Sequence, residues 1–290
     1  MKKIYIALLL FTLGIFLNTP KAKGFAHSDI IFYPQIINQG DIGLIKIKVI
    51  KGERPKLSWL KKNIPLHLNR EETEWIGFLG TDLTTAPGTY QAQIAALPHP
   101  EKVILKIKVI EKDYGVRNLT LPKHMVDLDS KTLQRVRQEA QAMKILWKGP
   151  YPEDIWSGTF IKPLEGEIIG PFGRKSVINN QPRSPHSGVD FRAPKGTPVK
   201  AMNSGRVVLV AEHFFTGKTV VIDHGGGIQS MYFHLDRILV KKDDQVVRGQ
   251  VVGQVGSTGR ATGPHLHLGV RVNGARVDPM RLIAVSQQIE

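Results

Sequence analysis

Six of the ten histidines in this 290-residue chain fall after residue 180: His186, His213, His224, His234, His265 and His267. The chain has no cysteine. That excludes disulfide scaffolds, thiolate zinc clusters, cysteine nucleophiles and an N-terminal lipid-bearing cysteine. Imidazole and carboxylate remain as ligands for a transition metal. Two spacings suit them. In His186-Ser187-Gly188-Val189-Asp190 a histidine and an aspartate stand four apart, and in extended chain such residues project to one side. In His265-Leu266-His267 two imidazoles stand two apart on one strand face, with Cα atoms about 7 Å apart. Both imidazoles can bind one ion, or one binds it while the other reaches a substrate. Each spacing alone is a modest signal, since a lone His-x-His is as often a surface pair.

These residues sit in a β-rich region. From Trp156 onward the chain carries short valine- and isoleucine-rich runs, such as Val207–Val210, Thr219–Ile222 and Val251–Val255, with Gly225-Gly226-Gly227 and Asn273-Gly274 as hairpin signals. No long helical pattern follows Asp154, so residues 158–290 read as an antiparallel β-domain. Residues 27–110 also read as strands. Ile45-Lys46-Ile47-Lys48-Val49 and Leu105-Lys106-Ile107-Lys108-Val109 alternate apolar and basic, with turns expected at Gln39-Gly40-Asp41, Lys51-Gly52, Asn63-Ile64-Pro65 and Ala86-Pro87-Gly88. This is the pattern of a small, immunoglobulin-like β-sandwich. Between the two, residues 111–157 form a connector with one helix, capped by Asp129 or Ser130 and striped by Leu133, Val136, Ala140, Met143 and Trp147. The chain is therefore mainly β.

Ahead of these domains, Lys2 and Lys3 precede an apolar run from Ile4 to Leu17. That run is short of the roughly 20 residues a spanning helix needs. A basic start, a short apolar core and small residues afterwards describe a secretory signal over 1–26. With the signal cleaved no stable membrane anchor is expected. Cleavage removes four lysines and lowers the formal charge from +15 to +11. An exported basic chain meets the anionic cell envelope before nucleic acid, so no nucleic-acid role is expected.

The segments Phe172-Gly173-Arg174, His186–Phe191, Ala193–Val199 and Gly263-Pro264-His265-Leu266-His267 occur in one order. In that order they resemble the LytM/lysostaphin-type zinc metallopeptidases over about residues 158–283. The resemblance implies one Zn2+ per chain, bound by His186, Asp190 and His267. Such a set leaves a position open, as a catalytic site requires. It also implies two assisting histidines, at His234 and His265. Either imidazole can orient the water, take its proton or donate to the leaving amine. Alternation in Met231-Tyr232-Phe233-His234-Leu235 turns Tyr232 and His234 to one face, and Tyr232 is a weaker candidate for oxyanion support, since strand tyrosines are usually packing residues. The implied substrate is peptidoglycan, cut at D-alanyl–diaminopimelate cross-links or glycine-rich bridges, in the periplasm or cell envelope.

Some relatives of this fold have lost the ligands and act as activators of cell-wall amidases. Here all three presumed ligands and both assisting histidines are present. A biotinyl/lipoyl-like carrier barrel needs a hairpin lysine where Ala201-Met202-Asn203 has none. A cupin site needs a glutamate soon after its His-x-His, and none lies between Glu212 and Glu290. His213 and His224 match no catalytic position. The stretch Lys175–Pro185 is a candidate for one wall of the groove.

Overall fold

The computed structural model describes residues 26–97, 102–120, 126–147 and 155–289. The signal read over 1–26, with its run Ile4–Leu17, lies outside the described residues apart from Ala26. No helix among those described is long and apolar enough to cross a membrane.

The N-terminal strands are β1 (Ile30–Tyr33), β2 (Ile36–Asn38), β3 (Ile42–Lys48), β4 (Arg54–Trp59), β5 (Lys62–Ile64), β6 (His67–Leu68), β7 (Glu74–Gly80), β8 (Gly88–Leu97) and β9 (Lys102–Ile110). They form two facing sheets, ordered β1-β3-β7-β6 and β2-β9-β8-β4-β5. Period-two alternation places Ile45, Ile47, Ile107 and Val109 in the core between them, with Leu57, Trp59 and Ile94. Lys106 and Lys108 point to water, whereas Lys46 is half-buried and pairs with Glu74 at 3.3 Å. One expected turn is displaced. Asn63 and Ile64 belong to β5, and the chain reverses at Leu60-Lys61, with φ of 48° and 63°. Positive φ at both central positions matches the twist of a two-residue hairpin. The buried Ile64 side chain holds that register.

The other face of β3 and β7 is buried as well. Ile42, Leu44, Ile76 and Phe78 join Phe172, Val189, Val272, Ala275 and Leu282 in one apolar cluster with the C-terminal domain. Polar contacts fasten the same seam. Arg276 forks onto Asp82 at 2.6 and 3.1 Å, Arg281 reaches Asp41 at 2.8 Å, and Asn273 donates to the Phe78 carbonyl at 2.8 Å. Burial opposes the charge on Asp82, but the hydrogen bonds from Arg276 outweigh it and hold its pKa well below the ordinary carboxylate value.

Beyond Ile110 come β10 (Val116–Leu119), α1 (Ser130–Leu146), β11 (Ile168–Gly170), β12 (Lys175–Ile178), β13 (Gln181–Arg183), β14 (Gly188–Arg192), β15 (Pro198–Lys200), β16 (Gly205–His213), β17 (Gly217–Asp223), β18 (Ile228–Ile238), β19 (Gln245–Val246), β20 (Val251–Val255), β21 (His265–Val272), β22 (Ala275–Val277) and α2 (Pro279–Ser286). A ten-stranded sheet follows the path β11-β14-β21-β18-β17-β16-β19, with β15, β20 and β22 attached beside it. A smaller sheet runs β10-β12-β13, with β10 parallel to β12. The segment between the two domains thus contributes a strand as well as a helix.

Asp129 caps α1 by accepting from the Thr132 amide at 2.8 Å. The helix buries none of its residues fully. Met143, Leu146 and Trp147 rest on Val221, Met231 and Phe233, while Leu133 and Ala140 of the expected stripe are exposed. The helix is rotated because Glu139 turns inward, accepting from the Phe214 amide at 2.9 Å and from Arg135 at 2.7 Å. Helix α2 was not expected, being two turns long and too short for a periodic signal. Its start is nonetheless written in the chain, with Asp278 as cap and Pro279 in the first turn.

His224 is fully enclosed, with Nδ1 donating to the Ser204 carbonyl at 2.8 Å and Nε2 lying 2.8 Å from Ser230 Oγ. Burial lowers its pKa to about 4, and burial does the same to His67 at the seam between domains. Both are neutral in the fold and take up protons on unfolding below pH 6.5. Their stabilising contribution is therefore complete above that pH and is lost as pH falls toward 4. Thermal unfolding followed from pH 7.5 to 4 should show the midpoint falling mainly between pH 6.5 and 4. For His224 alone the loss is about 3 kcal/mol. A His224→Asn variant should lose part of that slope, and an unchanged slope would contradict the assignment.

Candidate metal centre

Strands β14 and β21 pair antiparallel with Asp190 directly opposite His267. His186 lies two residues before β14. The His186 Nδ1 lies 3.0 Å from the Pro171 carbonyl. A carbonyl only accepts, so Nδ1 carries the proton and Nε2 keeps its lone pair. The three donor atoms converge. His186 Nε2 stands 3.1 Å from Asp190 Oδ1 and 3.0 Å from His267 Nδ1, and the last two are 2.8 Å apart. Neighbouring donors on a tetrahedral ion with bonds of about 2.0–2.1 Å are separated by roughly this much. Among the described residues this is the His/Asp/Glu group close enough to hold an ion.

The protonation states also fit. Burial opposes the charge on Asp190, yet the adjacent imidazoles of His186 and His267 outweigh it and keep its pKa far below normal. Burial lowers the pKa of His267. A carboxylate and neutral imidazoles are the forms that bind a metal. Two glycines make room for them. A Cβ on Gly170 would overlap Asp190 Oδ2, and one on Gly188 would overlap the Leu268 carbonyl and crowd His267 Nε2.

A second pair of imidazoles stands beside the first group. The Nδ1 of His234 donates to the Thr258 carbonyl at 2.9 Å, and that of His265 to the Gly263 carbonyl at 2.9 Å. Each therefore keeps a lone pair on Nε2. The two rings are 4.7 Å apart, and His234 is 6.2 Å from His267. Burial lowers the His234 pKa to about 4, so it is a neutral base at pH 7. Phe233 stacks on His267 at 5.1 Å with the planes 3° from parallel, fixing the ring.

His234 has φ of 61°, uncommon for a residue with a Cβ. Along this stretch Val220 faces Tyr232 but Lys218 faces Leu235, so Thr219 of β17 lies opposite both Phe233 and His234 of β18. This bulge breaks the alternation. Tyr232 and His234 consequently do not share a face. The Tyr232 hydroxyl is buried in the core, accepting from the Met202 amide at 2.9 Å, and takes no part in the groove. His213 and His224 also lie outside it.

The five histidine and aspartate side chains open into a groove of about 380 Å³. Its walls come from β10 (Arg117, Leu119), β11 (Ile169), β12 (Ile178) and the loops carrying Phe215 and Arg260. None of the described residues of 27–110 lines it. A further cavity of about 740 Å³ adjoins it under α1, sharing Ser187, Phe233 and His267.

An open groove floored by antiparallel strands, with two imidazoles and a carboxylate converging beside two further imidazoles, defines a metal-dependent hydrolase. Residues 184–279 match "Peptidase family M23". The crystal structure of a putative peptidase M23 from Pseudomonas aeruginosa is 33% identical, with a TM-score of 0.65 over 84% of this chain and 93% of that one. The chain belongs to peptidase family M23. Zinc is the metal of that family, and the donor set fits it.

Among curated relatives, the peptidoglycan DD-endopeptidase ShyA of Vibrio cholerae is 48% identical over 98 residues, which cover 34% of this chain and 23% of that protein. The DD-carboxypeptidase/endopeptidase Mpg of Neisseria meningitidis is 39% identical over 124 residues, 42% of this chain and 29% of that protein. The chain thus matches about a quarter of the length of these relatives. The family resemblance read from the four motifs is borne out. Not singled out in the sequence were Gly170, Phe233 and the carbonyls of Pro171, Thr258 and Gly263. Of these, only the Gly170-Pro171 pair ahead of Phe172-Gly173 left a readable trace.

Proposed function

We propose that this chain is an exported zinc metalloendopeptidase that hydrolyses peptide cross-links of peptidoglycan. The observation that carries the reading is the triangle of His186 Nε2, Asp190 Oδ1 and His267 Nδ1 in an open groove. The names of the curated relatives and the +11 charge left after loss of 1–26 support the substrate and the compartment.

His186, Asp190 and His267 hold the metal, and His234 and His265 do the proton work. Bound there, zinc supplies a water of lowered pKa and polarises the scissile carbonyl. The Pro171 carbonyl orients His186, and Phe233 orients His267. His234 and His265 present Nε2 lone pairs to the groove, where one takes the proton from the attacking water. The proton is delivered to the leaving amine nitrogen, from which the cleaved C–N bond has departed.

The test is a digest of purified sacculi by the chain freed of residues 1–26, with products identified by mass spectrometry, alongside a zinc chelator. Cross-linked dimers should become monomers only without the chelator. Intact, zinc-loaded protein that releases nothing from diverse walls would favour the amidase-activator alternative. A His234→Ala variant should keep its zinc and lose roughly 10²–10⁴ in kcat. Loss of zinc from that variant would place His234 among the ligands instead.

A further inference from the structure

The floor of the groove does not stop at the metal ligands. His265, His267, Gly269 and Arg271 alternate along β21 and so share one face of that strand. The first two line the groove, and the last three line the cavity of about 740 Å³ beside it. On β18, Phe233 and Met231 are the register partners of His267 and Gly269, and they line that cavity too. The two spaces therefore form one trough along β21. From His267 to Arg271 it runs about 13 Å at the rise of a strand.

This second half of the trough is walled partly by elements outside residues 184–279, the stretch that matches the family. At Gly269 strand β14 ends as the neighbour of β21, and β22 takes its place. On that side stand Ser187 and the sandwich turn bearing Asp82 and Thr84, fastened by the fork of Arg276 onto Asp82. On the β18 side stands α1, with Ala140, Met143 and Trp147. Trp147 marks the far end, its ring centre 4.7 Å from the Arg271 guanidinium. Between His267 and that end, Gly269 places no side chain on the floor.

We propose that this trough holds the peptide chain of the substrate on one side of the bond being cut, and that α1 and the sandwich turn are specificity elements for that arm. The inference rests on the peptidase reading and gives a binding role to parts of the chain outside the matched stretch. An extended peptide of about four residues spans the distance. The glycine floor admits a single extended chain, and continuity with His267 makes that chain the one that is cut.

The probes are two series of acylated peptides sharing one D-alanyl bond, grown from one to four residues on its amino side or on its carboxyl side. With the full chain freed of 1–26, kcat/KM in at least one series should rise with length by roughly 10- to 100-fold. Gly269→Leu sets a branched side chain on the floor and should bring that rise down toward 1. A Cβ there would first meet Met231 Cε at 2.9 Å, the end of a flexible side chain. Ala140→Trp, on an exposed position of α1, should narrow the trough and reduce the rise as well. It decides the matter alone if Gly269→Leu does not fold. Lys242→Gln, on the outer surface, should retain the whole rise. No rise in either series, or a rise untouched by both trough variants, overturns the proposal.

If no peptide of either series is cut, the peptidase reading is what has failed. Calorimetric binding of the one-residue and four-residue peptides then decides the trough by itself. Tighter binding of the longer peptide, weakened in Ala140→Trp, upholds it, and equal binding removes it.

Discussion

A chain carrying His267→Ala should bind zinc roughly 10³-fold more weakly or worse, and should release no detectable product from sacculi. The same change at His265 should leave zinc stoichiometric. The contrast follows from where two imidazoles two residues apart send their nitrogens. His267 Nδ1 is within 3.0 Å of both other donors, whereas His265 Nδ1 is committed to the Gly263 carbonyl and its ring lies against His234. Removing one of three protein donors leaves two, too few for a site that must also keep a position open. Zinc counted by elemental analysis after dialysis is the direct readout. Full retention of metal by the His267 variant would refute the ligand set, whatever happened to activity.

Phe78→Ala should destabilise the whole molecule by about 3–5 kcal/mol and lower its melting point by roughly 10 °C, without splitting the transition in two. Phe78 is 2% exposed, meets Trp156 edge-on at 5.7 Å, and belongs to the cluster that runs from β3 and β7 into the C-terminal domain. A cavity there weakens both halves at once. Calorimetry would show one displaced peak. Two peaks, with only the earlier one displaced, would mean that the sandwich unfolds independently despite the shared cluster. The same seam predicts that residues 158–290 alone expose apolar surface around Val272, Ala275 and Leu282.

The chemistry was more legible than the architecture that carries it. His186, Asp190, His265 and His267 stand out once the four ordered motifs are read together; each spacing alone is a modest signal, and the resemblance, not the period of two, implies their division into ligands and assisting groups. The alternation gave the sandwich core at Ile45, Ile47, Ile107 and Val109. It failed at Tyr232 and His234, where a bulge inserts a residue. That bulge arises from the register between β17 and β18, a relation between distant segments that no local pattern encodes. The β4–β5 turn misled for a related reason, since Leu60 and Lys61 adopt a backbone that the sequence usually assigns to asparagine and glycine. The burial of β3 and β7 on both faces also stayed hidden. Ile42, Leu44, Ile76 and Phe78 read as ordinary strand residues until the surface opposite them is known. Gly170 matters only because the carboxylate of Asp190, brought in by another strand, needs the space a Cβ would fill.

Strand β10 has a consequence for anyone wishing to move this chemistry onto another protein. It arrives from the stretch between the two domains, yet hydrogen-bonds along Lys175–Ile178 and brings Arg117 and Leu119 to the groove. A graft taken from residue 158 onward would transplant the ligands with one bank of the channel missing. The smallest portable piece begins before Val116, and a recombination crossover placed between Leu119 and the helix would set one parent's Arg117 and Leu119 against the other's ligands and remaining groove wall.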